Sequence, residues 1–325
     1  MIQKSEAGKT KKYTENNRQT IIFIIGPTAV GKSEVAVELA QKIDAEILSC
    51  DSMQIYRGMK ILSCQPSPPL RKKVPHHLIG FVSPSLNYDV SQYRKKAMRK
   101  IKEVLKKGKT PLFVGGTGLY VSALVDGIFE QETKNPQIRA RLLNEVKKYG
   151  NMLLYQRLEK IDPVACQKIH PNDTKRIVRA LEVFEATGIP ISQLQRKRKG
   201  LSAEFEVKIF GLLRPRNQLY ARINQRVEKM FDEGLVSEVK KLLQKTLGLT
   251  AQYAIGIREL SGYFSHLYSL DKAKELVKRN TRRYAKRQLC WFRKDKRIVW
   301  IDVNDNDNPK KIANIIFKKF LSQSN

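Results

Sequence analysis

The 325-residue chain carries 62 Lys and Arg against 31 Asp and Glu, a formal charge of +31, and is 41% apolar. Its length suits one large domain or two modest ones; no apolar run approaches the roughly 20 residues of a membrane span, and no apolar h-region suggests a secretory leader. The four cysteines are scattered without a C-x-x-C pair, which argues against a thiolate zinc site or a disulfide framework and for a reducing cytoplasm.

Residues 1–19 are polar and basic, with neither apolar periodicity nor a helix cap, and are expected to form a disordered tail. Residues 21–25 read as a buried parallel strand ending at a glycine. A helix is predicted over 32–42, with Val35, Leu39 and Ile43 on one face. "AEILSCD" (Ala45–Asp51) reads as a second strand ending in a carboxylate, and 89–107 as a basic amphipathic helix. "TPLFVGGTGLY" (Thr110–Tyr120) is a third strand that breaks into glycines before another helix. This alternation predicts an α/β fold, a doubly wound parallel sheet with ligands at the strand C-termini.

The core is expected to run over 20–129. From 130 to 200 helical patterns dominate, no strand is convincing, and the segment closes on "QRKRKG", so an inserted helical subdomain is predicted. "EFEVKIFGLL" (Glu204–Leu213) returns to strand character, and 201–325 is read as rejoining the core, with helices over 218–245 and 271–293. Lys278 to Lys294 holds eight basic residues, three aromatics and no acid. A solvated helix face normally mixes signs, so this stretch reads as an RNA-facing surface.

The most specific local signal is Gly26-x-x-x-x-Gly31-Lys32-Ser33, a Walker A pattern with a strand before it and a helix after it. Gly26 and Gly31 allow close backbone approach, the intervening Pro27, Thr28, Ala29 and Val30 complete the cradle, Lys32 reaches terminal phosphate oxygens, and Ser33 offers a hydroxyl to Mg²⁺. The helix N-terminus adds its partial positive charge. Hydrolysis of a nucleotide triphosphate fits less well. No N-K-x-D guanine-reading motif occurs, and the strand "LFVGG" ends on glycines rather than on an acid. Asp51 is the strand-terminal carboxylate nearby, which keeps a small-molecule kinase open, with Asp51 as base for the phosphoryl acceptor.

"GPTAVGKS", "DSMQIYRGM", "VGGTGLY", "HPNDTKRIVRALEV", "LYARINQRVEKMFDEGLVSEV" and "RRYAKRQLCWFRKDKRIVWID" occur in this order over roughly residues 20–302. Together they resemble the tRNA dimethylallyltransferases. The resemblance implies transfer of a dimethylallyl group from dimethylallyl diphosphate to the exocyclic amine of the adenosine 3′-adjacent to the anticodon, with Mg²⁺ assisting. The phosphate loop would then hold a diphosphate leaving group. The amine's lone pair is delocalised into the purine, so the transfer needs cations on the leaving group and a base for the amine proton. A carboxylate within hydrogen-bond reach of the amine suits that base, which makes Asp51 the candidate; the resemblance assigns Arg226, with Arg222 one turn earlier, to the diphosphate and Thr117 to a hydroxyl beside the reaction centre.

On the RNA side the target base must be flipped from the anticodon arm. The resemblance places Asp51, Ser52, Met53 and Gln54 near that adenine. It places Arg139, Lys175, Arg176, Ile177, Val178 and Arg179 against tRNA, and Tyr253, Gly256 and Arg258 in a further contact segment. Arg282 and Arg283, with Lys286 and Arg287, would add phosphate contacts or support the site. Two positions depart from the family pattern: Gln65 stands where a lysine is common, and Ile257 where an aromatic is. No C-terminal zinc finger is present, as in the bacterial type. The expected setting is a cytoplasmic monomer that meets tRNA and dimethylallyl diphosphate but no membrane. The competing readings are an isopentenyltransferase for free adenine nucleotides, the kinase, and a non-catalytic RNA-binding protein with a relic phosphate loop.

Overall fold

The structure, a computed structural model, describes residues 18–129 and 134–322. All but the last two residues of the expected tail, and Glu130 at the expected start of the insertion, lie outside them. The chain divides into two compact units, residues 126–203 and the remainder.

The larger unit begins with β1 (Thr20–Ile25), α1 (Lys32–Lys42), β2 (Ala45–Ser49), α2 (Pro68–Lys73), β3 (His76–His77), α3 (Val90–Lys106), β4 (Thr110–Gly115) and α4 (Gly118–Val125). Ile21 to Ile25 of β1 are fully buried, the continuous apolar run of a strand covered on both faces. Helix α3 starts where Asp89 accepts the Gln92 N–H and Gln92 accepts the Asp89 N–H, both at 3.0 Å, a reciprocal cap. Its buried row is Tyr93, Ala97, Ile101 and Val104, and its lysines face solvent.

The smaller unit is helical among its described residues: α5 (Pro136–Tyr149), α6 (Asn151–Ile161), α7 (Pro163–Cys166), α8 (Thr174–Thr187) and α9 (Ile191–Arg196). Leu142, Leu154, Leu158, Ile177 and Leu181 form its own apolar core. Asp173 caps the start of α8 by accepting the Arg176 N–H at 3.2 Å, and Gly188, at φ +69°, ends it.

The chain returns through β5 (Glu206–Leu213), α10 (Arg216–Asp232), α11 (Leu235–Leu243), α12 (Ile257–Phe264), α13 (Leu270–Phe292), β6 (Ile298–Asp302) and α14 (Pro309–Ser322). The six strands form one parallel sheet in the order β3-β2-β4-β1-β5-β6. The doubly wound reading therefore holds. Three local expectations change. The second strand stops at Ser49, so Cys50 and Asp51 leave the sheet; the helix expected over 218–245 is broken at Gly234 (φ +99°); and β6 and α14 extend the fold beyond the elements predicted.

Two glycines set the sheet's C-terminal edge. A Cβ on Gly115 would lie 2.0 Å from the Cys50 carbonyl, and one on Gly26 would lie 2.8 Å from the Leu212 carbonyl. Only a bare backbone lets the end of β4 pass against the chain after β2, and the start of the loop after β1 against β5.

Candidate active site

The loop after β1 closes on itself. Gly31 takes φ +106° and leads directly into α1, the left-handed geometry that aims successive N–H groups at an anion. Lys32 donates its ammonium to the carbonyls of Gly26 (3.0 Å) and Pro27 (2.7 Å). Burial of that ammonium pushes its pKa down to about 8; Asp51 and Glu34 oppose the shift and Arg226 adds to it. Helix α10 supplies two more cations. Arg222 Nε donates to the Ala29 carbonyl at 3.0 Å, and Arg226 Nη1 reaches the Thr28 hydroxyl at 3.4 Å. Spaced four apart, they share one helix face.

Asp51 lies near enough to Lys32 to favour its charged form. Its Oδ1 accepts the Met53 N–H at 2.8 Å and the Gln54 N–H at 3.4 Å, a turn that fixes the carboxylate. No described residue hydrogen-bonds Oδ2. Thr117 sits beside it: its hydroxyl accepts the Ser52 N–H at 2.9 Å and lies 3.3 Å from the Ser52 hydroxyl, and its own N–H donates to the Cys50 carbonyl at 3.2 Å. Burial pushes the Cys50 thiol up to about 12, which leaves it inert as a nucleophile.

Two residues of α13 that the sequence reading did not single out complete the floor. The buried Gln288 accepts the Thr28 N–H and donates to the Gly116 carbonyl, both at 2.9 Å, so one amide ties the phosphate loop to the loop after β4. Tyr284, one turn earlier, lies beside Thr117 and Gln288; burial, with the nearby Asp51 carboxylate, holds its phenol well above the ordinary range. Their spacing of four in "RRYAKRQ" was the available signal, masked by the basic residues around it.

For a metal, the donor set is sparse. Among the described residues no group of three or more His, Cys, Asp or Glu could hold an ion. The Ser33 hydroxyl has no protein partner among them. That suits a Mg²⁺ held by one hydroxyl and water together with phosphate oxygens, as Mg²⁺ at phosphate sites commonly is.

The family model described as IPP transferase matches residues 54–295, and the one described as isopentenyl transferase matches 19–74. A tRNA dimethylallyltransferase of Carboxydothermus hydrogenoformans is 46% identical over 92% of this chain and 96% of its own length. The chain belongs to the tRNA dimethylallyltransferase family. Its relative from Geobacter sulfurreducens is 44% identical over 94% of this chain and 98% of its own. Among solved structures, the tRNA isopentenylpyrophosphate transferase of Bacillus halodurans matches with TM-score 0.70 at 38% identity, covering 94% of this chain and 98% of its own. A eukaryotic dimethylallyltransferase captured acting on tRNA matches with TM-score 0.77 at 28% identity, covering 94% of this chain and 80% of its own.

Several of this family's expected RNA contacts have their side chains engaged inside the protein. Ile177 and Val178 are buried in the core of the helical unit, so their side chains cannot meet RNA. Gly256 is buried too: at φ +112° it gives room to Leu62, whose Cδ1 a Cβ would meet at 2.5 Å. Gln54 does not offer a free amide, because its Oε1 accepts from the Ser49 hydroxyl at 2.8 Å and its Nε2 donates to the Cys64 carbonyl at 3.2 Å. Gln65, the departure from the family lysine, braces the same loop by donating to the carbonyls of Gln54 (3.1 Å) and Tyr56 (3.2 Å). Ile257 packs in the core around Met59 and Leu260.

The remaining expected contacts sort by exposure. Lys175, Arg176, Arg258, Arg283 and Tyr253 are exposed, whereas Met53 is half-buried. Arg139 (2.6 Å) and Arg179 (2.8 Å) share one buried carboxylate, Glu182, which fixes both guanidiniums on one side of the helical unit. Arg282 donates to Asn224 of α10 at 2.6 Å and serves the packing of α13 on α10.

Proposed function

We propose that this protein transfers a dimethylallyl group from dimethylallyl diphosphate to the N6 amine of the adenosine 3′-adjacent to the anticodon of tRNA and releases diphosphate. The observation that carries the reading is the pairing of two unlike halves at one sheet edge. Three cations, Lys32, Arg222 and Arg226, bear on the phosphate loop, and Asp51, near enough to Lys32 to favour its charged form, keeps Oδ2 open. An allylic C–O bond breaks as diphosphate leaves with its electron pair, and the amine nitrogen forms the new bond to that carbon. The nitrogen's proton passes to the Asp51 carboxylate, a general-base step.

Lys32, Arg222 and Arg226 act by neutralising charge that grows on the leaving oxygens, in a site shaped before the substrate arrives. Thr117, held by Ser52, offers a hydroxyl beside the reacting amine. Mg²⁺ would be held by Ser33 and the diphosphate oxygens and would add positive charge at the leaving group. Asp51, Ser52 and the exposed basic residues of α8 and α13 are the RNA side of this reading. Among the described residues no helix is long and apolar enough to cross a membrane; we take the protein to work as a cytoplasmic monomer.

The test is incubation with labelled dimethylallyl diphosphate and unmodified tRNA, followed by nucleoside analysis. The expected outcome is one dimethylallyl group per tRNA on an adenosine beside the anticodon, with equimolar diphosphate. Label on free AMP instead of tRNA, or ATP-dependent phosphorylation of a metabolite without transfer, overturns the reading.

A further inference from the structure

Beyond the phosphate loop, a second concavity opens at the same sheet edge where β5 passes into α10. Its volume is about 570 Å³, and it lies between the start of α10 and the end of α13. That size falls within the ~300–1,000 Å³ range of small-molecule sites. Its lining divides in two. Leu213, Leu219, Tyr220 and Leu289 make an apolar side, and Arg214, Arg216, Lys286 and Arg293 bring four cations to it, with Asp302 as an acid.

Arg214 is the unusual member. It is 5% exposed, and its Nη1 is used by Gln218 and by Asp305, an acid that is itself half in solvent. Its Nε is buried with no partner at all. A buried donor of a charged group carries a penalty when left unmade. Arg216, Lys286 and Arg293 form no ion pair with any described residue. Arg216 instead lies over the Tyr220 ring, 5.1 Å from its centroid. Finally, α10 is a 17-residue helix that begins after Pro215 with no side-chain cap, so no capping side chain serves the N–H groups at its positive end.

We propose that this cavity is a second anion site, separate from the phosphate loop, for a small phosphate monoester with a planar or apolar body. The phosphate meets Arg214, Arg216, Arg293 and the start of α10, and the body lies against Tyr220 and the leucines.

Cys290 lines the cavity and is exposed, which gives a local probe in the full-length protein. Its alkylation by iodoacetamide is followed by mass spectrometry of its own peptide, with AMP, adenosine or tRNA present. AMP is expected to slow the reaction at least fivefold and adenosine to leave it unchanged. Arg216→Gln and Arg293→Gln, both at exposed positions, should each remove most of that protection, and Lys32→Gln should keep it. Equal protection by adenosine, protection by tRNA but not AMP, protection intact in both arginine variants, or protection lost with Lys32→Gln overturns the proposal.

Discussion

At the scale of single residues the chemistry rests on Asp51 and Lys32. One oxygen of Asp51 is used to shape a turn and the other is open, so Asp51→Asn keeps the turn while removing the base. General bases contribute about 10²–10⁴-fold. The variant should lose kcat by that factor in single-turnover assays while its tRNA Kd in filter binding changes less than about twofold; near-wild-type turnover excludes Asp51 as the base. Lys32 makes a separate prediction with a definite sign. Its pKa is held down to about 8 by burial in the free protein, so above that pH it is largely neutral. A diphosphate in the loop restores the charged form, and binding must therefore take up protons. Calorimetry in buffers of different ionisation enthalpy should show uptake that grows from pH 7 to pH 9 and disappears in Lys32→Met. Proton release, or no uptake, contradicts the assignment.

At the scale of elements, α13 binds the site together. Gln288→Ala removes both the acceptor for Thr28 N–H and the donor to Gly116, and each lost buried bond costs about 1–3 kcal/mol. Thermal unfolding should fall accordingly, and KM for dimethylallyl diphosphate should rise while tRNA affinity stays within about twofold; equal losses for both substrates point to general misfolding instead. Helix α13 also shows what the sequence could and could not reveal. The phosphate loop and Asp51 are local patterns at the ends of apolar strands, and α3 shows in its amphipathic pattern, so these were legible. Tyr284 and Gln288 act only because tertiary packing lays their row against Thr28, Gly116 and Thr117, which no local pattern encodes. Gly234 reads as a tolerated glycine in a helical run until its left-handed φ ends α10. β6 is a five-residue edge strand with a mixed burial pattern, too short for periodicity to declare. The resemblance groups 175–179 as one contact segment, whereas helical spacing turns Lys175, Arg176 and Arg179 away from Ile177 and Val178.

At the scale of the whole molecule, a charge of +31 makes tRNA binding a counterion-release process, and the two faces of α8 allow that to be tested against packing. Lys175 and Arg176 are exposed, so neutralising both should leave folding nearly unchanged. If each meets a phosphate, the slope of log K against log salt should shrink by roughly 0.7–0.9 per residue, with affinity lower for every tRNA tested. Ile177 lies between Arg176 and Val178 but faces the other way, fully buried. Ile177→Ala should cost about 2–5 kcal/mol of stability through the cavity it leaves, yet keep the salt slope of the folded protein at the wild-type value. Measuring both variants by salt-titrated filter binding and by denaturant unfolding gives a crossed result: slope without stability in one, stability without slope in the other. An unchanged slope in the Lys175 and Arg176 double variant removes that face of α8 from the RNA interface, and a changed slope in folded Ile177→Ala means the helical core itself adjusts when RNA binds.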